Sequence, residues 1–219
     1  MKVLLLNPPS AFDGKCVSRE QGGIGLVEES FLASELFLTA AFLQRRGHDV
    51  EAVDLEGSDP DFSPYQVAVV WVSILHTLHQ DMEWLRRAKD CGCRTVLILN
   101  DAYDGFETAC LQRRPFIDAA VRLWERQLSL DALLKGWKEG ERPDYPGLIV
   151  RDGGGLVDSG EHPRLDDLSH LESCALLLRR QPLTRYEAVG ITPGRGCTAR
   201  HRFCRYSDTA QGKDRKSVV

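Results

Sequence analysis

Val67-Ala68-Val69-Val70-Trp71-Val72-Ser73-Ile74 is a near-continuous apolar run of strand length, rich in β-branched residues. A strand with one face in water would alternate apolar and polar residues. This one does not, so it reads as a strand covered on both faces, as in a parallel sheet. Lys2–Asn7 reads the same way and is ended by Pro8-Pro9. Between these runs, Phe31, Leu32, Leu36, Leu38, Ala41, Phe42 and Leu43 form a helical stripe within Glu29–Arg46, and Gly47 supplies the stop. Val50–Leu55 is then the second strand and Thr95–Leu99 the fourth, with a helix over Asp81–Asp90 closed by Gly92. Ile117–Val121 predicts a short fifth strand, followed by a helix from Trp124 to Trp137. The alternation predicts an α/β fold, a doubly wound parallel sheet with functional loops at the carboxyl ends of the strands. Gly147–Arg151 and Leu156–Asp158 flank Asp152-Gly153-Gly154-Gly155 and read as a hairpin.

The bulk properties narrow the function class. A net charge of −4 over 219 residues argues against nucleic-acid binding as the main role. Asn7-Pro8-Pro9 cuts off the only leader-like run far short of a signal core or a membrane span, so a cytoplasmic protein with no membrane contact is expected. Seven cysteines, an odd number and widely scattered, do not form a disulfide framework. Cys91-Gly92-Cys93 is expected at a helix end. Gly22-Gly23-Ile24-Gly25 follows no strand, so it reads as a loop, not a dinucleotide fingerprint. Asp101, Asp104 and Glu107 read as a solvated loop and helix cap, and His76 and His79 as the start of the next helix, facing solvent or the domain seam.

The chemistry concentrates near the end of the sequence, in Gly194-Arg195-Gly196-Cys197-Thr198-Ala199-Arg200-His201-Arg202-Phe203-Cys204, after a short apolar strand Ala188–Thr192. Soft thiolates closely spaced on one loop suit the irons of an iron–sulfur cluster. The spacing resembles the Cys-x3-Cys-x-aromatic-Cys loop of the radical S-adenosylmethionine (SAM) enzymes, with His201 at the middle cysteine. The resemblance implies Cys197, His201 and Cys204 as metal ligands of a [4Fe–4S] cluster whose open iron binds SAM. An imidazole ligand raises a cluster's potential, which works against reducing a sulfonium.

The rest of the chain resembles, in order, the N-terminal part of the cobalamin-binding radical SAM proteins. The match runs from Lys2–Pro9 through Arg46-Gly47-His48-Asp49-Val50, Pro115-Phe116-Ile117-Asp118 and the hairpin to Pro163-Arg164-Leu165-Asp166-Asp167-Leu168, the cysteine loop and Arg215-Lys216-Ser217-Val218-Val219. It implies a flavodoxin-like cobalamin domain over 1–158, a linker over 159–185, and over 186–219 the first strand of an incomplete TIM-like barrel. Ser73-Ile74-Leu75 matches the Ser-x-Leu element of cobalamin domains, and the resemblance implies Ser73, Leu75 and Phe203 as cofactor-binding residues. Asn100-Asp101 stands where a glycine pair would let backbone approach the ligand, so weak cobalamin binding is expected. No catalytic residue is assigned. The expected partners are small-molecule cofactors and a polypeptide that completes the barrel, and the chain alone is expected not to turn over SAM. The alternative is a stand-alone ligand-binding or interaction module of the same fold without catalysis of its own.

Overall fold

The computed structural model describes residues 1–8, 11–12, 15–16, 32–54, 59–72, 77–99, 105–122, 124–163, 165, 194–196 and 214–216. In chain order the elements are β1 (Lys2–Asn7), β2 (Ala11–Phe12), β3 (Lys15–Cys16), α1 (Ser34–Arg45), β4 (Asp49–Asp54), β5 (Val67–Val72) and α2 (Leu78–Asp90). They continue with β6 (Arg94–Leu99), α3 (Phe106–Arg113), β7 (Ala119–Val121), α4 (Arg126–Glu139), β8 (Leu148–Asp152) and β9 (Gly155–Asp158). Two short strands, β10 (Gly194–Gly196) and β11 (Asp214–Lys216), close the series.

The main sheet has seven strands in the order β4-β1-β5-β6-β7-β8-β9. The strands from β4 to β7 are parallel, and the hairpin β8–β9 is added antiparallel to β7. Taken by sequence order among the parallel strands, this is the flavodoxin-like 2-1-3-4-5 arrangement. The central strands are apolar throughout because alternate residues feed two cores. Val3, Leu5, Val67, Val69 and Trp71 pack with Leu36, Phe37, Leu130 and Leu133 on the α1/α4 face. Leu4, Leu6, Ala68, Val70 and Val72 pack with Met82, Leu85, Cys110 and Leu111 on the α2/α3 face. Each fully buried Leu or Phe contributes about 1.5–3 kcal/mol.

The glycine stops are as expected. At the end of α1, Gly47 takes φ +84°, and His48 N–H reaches back to Leu43 C=O at 3.1 Å. Gly92 does the same for α2, with Cys93 N–H on Ala88 C=O at 3.0 Å, so Cys91 and Cys93 do lie at a helix end. Helix α3 is absent from the sequence reading, and the hairpin extends the main sheet. The predicted strand Ala188–Thr192 and most of 159–219 lie outside the described residues.

α1 and α4 are joined by a buried carboxylate. Asp131 is 4% exposed and accepts from His48 Nε2 at 2.8 Å, Lys135 Nζ at 3.0 Å and Arg46 Nη1 at 3.1 Å. Burial alone would push its carboxyl up, but the His48 and Lys135 hydrogen bonds and the charges of Lys135 and Arg46 hold it below the ordinary value. A depressed carboxyl stabilises the fold above its unfolded pKa, and that stability is lost as pH falls through the folded one. Asp131→Ala is therefore expected to cost about 2 kcal/mol near neutrality. Urea unfolding should show the gap between wild type and variant closing in acid.

Candidate functional site

Between β1 and β5 the chain order reverses, since β1 connects outward to β4 and then returns across to β5. The crevice outside the carboxyl ends of two such strands is where open α/β sheets bind ligands. At this end polar side chains are buried, against the apolar pattern of the strands that carry them. Asn7, the last residue of β1, is 7% exposed and donates Nδ2 to Asp54 Oδ1 at 2.7 Å. The other oxygen of Asp54 accepts from Ala33 N–H at 3.3 Å, just ahead of α1. Asn7 Oδ1 is buried with no hydrogen-bond partner.

The same pattern continues along the edge. Thr77 Oγ1 donates to Asp81 Oδ2 at 2.9 Å, and both are fully buried at the head of α2. Glu107 in α3 is 4% exposed. Arg122, immediately after β7, holds Asp158 at 2.6 Å and Glu161 at 2.9 Å. Glu125 precedes α4 with φ +49°, a left-handed conformation uncommon outside glycine, and is fully buried. Its Oε1 accepts from Leu165 N–H at 3.4 Å, so the chain beyond the hairpin returns to this end of the sheet. Beside it, the Arg126 guanidinium lies 5.0 Å from the ring centre of Trp71, and Gln127 donates to Thr39 at 3.1 Å.

The opposite end differs in kind. A cleft of about 370 Å³ opens there beside Lys89, Arg94, Trp137 and Arg142. Its charges are largely matched already: Lys89 with Asp118 at 2.7 Å, Arg142 with Asp152 at 3.4 Å, and Arg94 over the Trp137 ring. Arg151 donates to the carbonyls of Ile117, Leu111 and Arg114. These contacts tie strand starts to helix ends, so the buried polar rim marks the carboxyl end as the candidate site.

The residues named from sequence meet this geometry unevenly. β5 ends at Val72, so Ser73 directly follows its carboxyl end, but Ser73, Leu75 and the neighbouring His76 lie outside the described residues. So do Asn100, Asp101, Asp104, Cys197, His201, Phe203 and Cys204. β10 pairs antiparallel with β11, Gly194 opposite Lys216 and Gly196 opposite Asp214. The segment holding Cys197, His201 and Cys204 therefore begins and ends at one short ladder. His79 is exposed in the first turn of α2, as read. Glu107 is not: it is buried, where a solvated cap was expected. Glu107, Arg122 and Glu125 were missed as site residues. The signal for Glu107 was its i, i+3, i+4 relation to Cys110 and Leu111, which puts it on the buried face of α3. Among the described residues no cluster of three or more His, Cys, Asp or Glu is placed to hold a metal.

Comparison with solved structures matches this arrangement. The cobalamin-dependent SAM radical enzyme OxsB, solved with aqua-cobalamin and SAM bound, superposes with a TM-score of 0.70 at 15% identity, over 99% of this chain and 30% of that one. The chain shares its fold with part of a cobalamin-dependent radical SAM enzyme. The radical SAM methyltransferase TsrM from Kitasatospora setae, solved with cobalamin and a [4Fe-4S] cluster, gives 0.52 at 18% identity, over 73% of this chain and 29% of that one. A second TsrM structure, with tryptophan substrate and a SAM analogue, gives 0.51 at 18% identity, over 73% of this chain and 30% of TsrM. No protein-family model matches the sequence, and no curated protein matches it. The chain thus spans about a third or less of the enzymes whose fold it shares.

Proposed function

We propose that this chain is the cofactor-binding portion of a cobalamin-type radical SAM enzyme. On this reading residues 1–158 hold a corrinoid at the carboxyl ends of the parallel strands, and 159–185 form a linker. Residues 186–219 present Cys197, His201 and Cys204 to a [4Fe–4S] cluster that binds SAM. The observation that carries the reading is the 2-1-3-4-5 strand order matching OxsB over nearly the whole chain. The donor set supports it. Ser73 follows the central strand in sequence and brings a hydroxyl, and the orphaned Asn7 Oδ1 at the end of β1 suits an amide N–H on a corrinoid edge. When bound, a reduced cluster would supply the electron that cleaves the sulfonium of SAM. The chain's own residues would bind and orient: Cys197 and Cys204 as thiolates, His201 through a neutral imidazole, and Phe203 beside them.

No described helix is long and apolar enough to cross a membrane. A cytoplasmic setting and a polypeptide that completes the barrel belong to the same proposal. One observation favours the second reading, a binding module without turnover: His201 replaces the thiolate that keeps a cluster strongly reducing.

Titration with hydroxocobalamin, followed by visible absorbance, tests the corrinoid half. Asn100→Gly with Asp101→Gly removes two side chains, one of them a carboxylate, after β6. It is expected to tighten binding about tenfold, equivalent to roughly 1.4 kcal/mol. Unchanged affinity would show that this loop does not touch the ligand.

A further inference from the structure

Glu107 differs from the other carboxylates at the carboxyl end of the sheet. It sits in the first turn of α3 on the stripe of Cys110 and Leu111, so its side chain is drawn towards the sheet. One of its oxygens, Oε2, is buried without a hydrogen-bond partner. Burial pushes the carboxyl up; its own backbone N–H and the Arg122 charge oppose this, and Glu161 and Asp158 reinforce it. Arg122 is the complementary case. Its side chain is 13% exposed, its two terminal nitrogens hold Asp158 and Glu161, and its Nε is buried with no partner.

Two orphaned buried atoms, on neighbouring elements at one strand end, are uncommon in a folded protein and call for a missing partner. A guanidinium Nε–H only donates, and a carboxyl oxygen accepts or, when protonated, donates. A group carrying both an acceptor and a donor satisfies both at once. An anion would meet Asp158, Glu161 and Glu107, while a cation would have to displace Arg122 from its two carboxylates. A carboxamide is an uncharged group of this kind, with its acceptor oxygen and donor nitrogen on separate atoms.

We propose that Glu107 and Arg122 form a hydrogen-bonding subsite for a carboxamide of the bound ligand. The carboxamide oxygen accepts from Arg122 Nε, and its N–H donates to Glu107 Oε2. The inference rests on the corrinoid reading, since the corrin edge carries such carboxamides. It adds two residues that the sequence motifs do not name.

The experiment uses the full chain and two variants, Glu107→Gln and Glu107→Leu. Glu107→Gln keeps an acceptor and should bind hydroxocobalamin within about threefold of wild type, while Glu107→Leu should bind about tenfold more weakly. Glu107→Leu should also melt no lower than wild type, because an unsatisfied buried carboxyl has been replaced by apolar bulk. Undiminished hydroxocobalamin binding by Glu107→Leu would overturn the subsite and leave the corrinoid reading standing; it is also the result if only a buried water sits there. A second readout covers the case in which wild type binds no corrinoid, which would sink that reading instead. Propionamide should then raise the melting temperature of wild type but not of Glu107→Leu, with propionate raising neither. Equal propionamide responses in the two proteins would overturn the subsite by itself.

Discussion

Cys197→Ala combined with Cys204→Ala is expected to abolish uptake of iron and sulfide by the anaerobically reconstituted chain. The melting of the α/β sheet should stay unchanged. Iron–sulfur clusters are held by thiolates, and His201 alone cannot replace two of them. Among the described residues the two cores are built from positions between Val3 and Val150. Loss of metal without loss of stability would therefore separate the ligand role from a structural one. His201→Cys completes the three-thiolate set and should raise the iron retained and lower the midpoint potential. Full iron retention by the double variant would assign the metal to other ligands.

Gly147→Ala carries the largest expected structural effect, about 3 kcal/mol of lost stability, summed from three sources. Gly147 takes φ +86°, where an L side chain costs about 1–2 kcal/mol. A Cβ there would lie 2.5 Å from Ser129 Oγ, which itself donates to Pro146 C=O at 2.8 Å. Relieving that clash moves Ser129 and forfeits its hydrogen bond, about 1 kcal/mol, with further overlap to absorb. The position matters because Gly147 starts the hairpin: its C=O accepts from Arg122 N–H at 2.9 Å, and its N–H donates to Gly160 C=O at 2.8 Å. A lowered urea midpoint with an unchanged slope should report it. Gly155→Ala, where φ is not positive and the nearest atom is 3.7 Å away, should cost little. Equal effects at the two glycines would contradict the geometry.

The fold was legible where burial is two-sided. Val67–Val72 and Lys2–Asn7 announce parallel strands because each residue has a core on one side or the other. Gly47 and Gly92 announce helix ends because the chain must turn left-handed there. Helix α3 was not legible: it is eight residues long, and its apolar positions are too few to show a period. The order of strands was not legible either, since pairing depends on crossovers that no single strand encodes.

The site divided along similar lines. Ser73 and Leu75 were named from a motif at a predicted strand end, and the cysteine loop from its spacing, and all of them lie outside the described residues. Arg122 was not named, because a polar residue buried by tertiary neighbours looks from sequence like a solvated one, and Glu107 carried only its spacing to Cys110 and Leu111 within a helix too short to be read. The β10–β11 ladder at the base of the cysteine loop was also missed. Gly194-Arg195-Gly196 has no apolar alternation, and its partner strand begins only at Asp214.

The central claim is that one chain carries a corrinoid site and a cluster loop on this fold. The most direct test is the visible spectrum of the full chain after anaerobic reconstitution with iron, sulfide and hydroxocobalamin, with iron and cobalt measured on the same sample. The account predicts cluster absorption that disappears in the Cys197→Ala, Cys204→Ala protein, together with a corrinoid band shifted from that of free hydroxocobalamin. A colourless protein holding neither iron nor cobalt would contradict it.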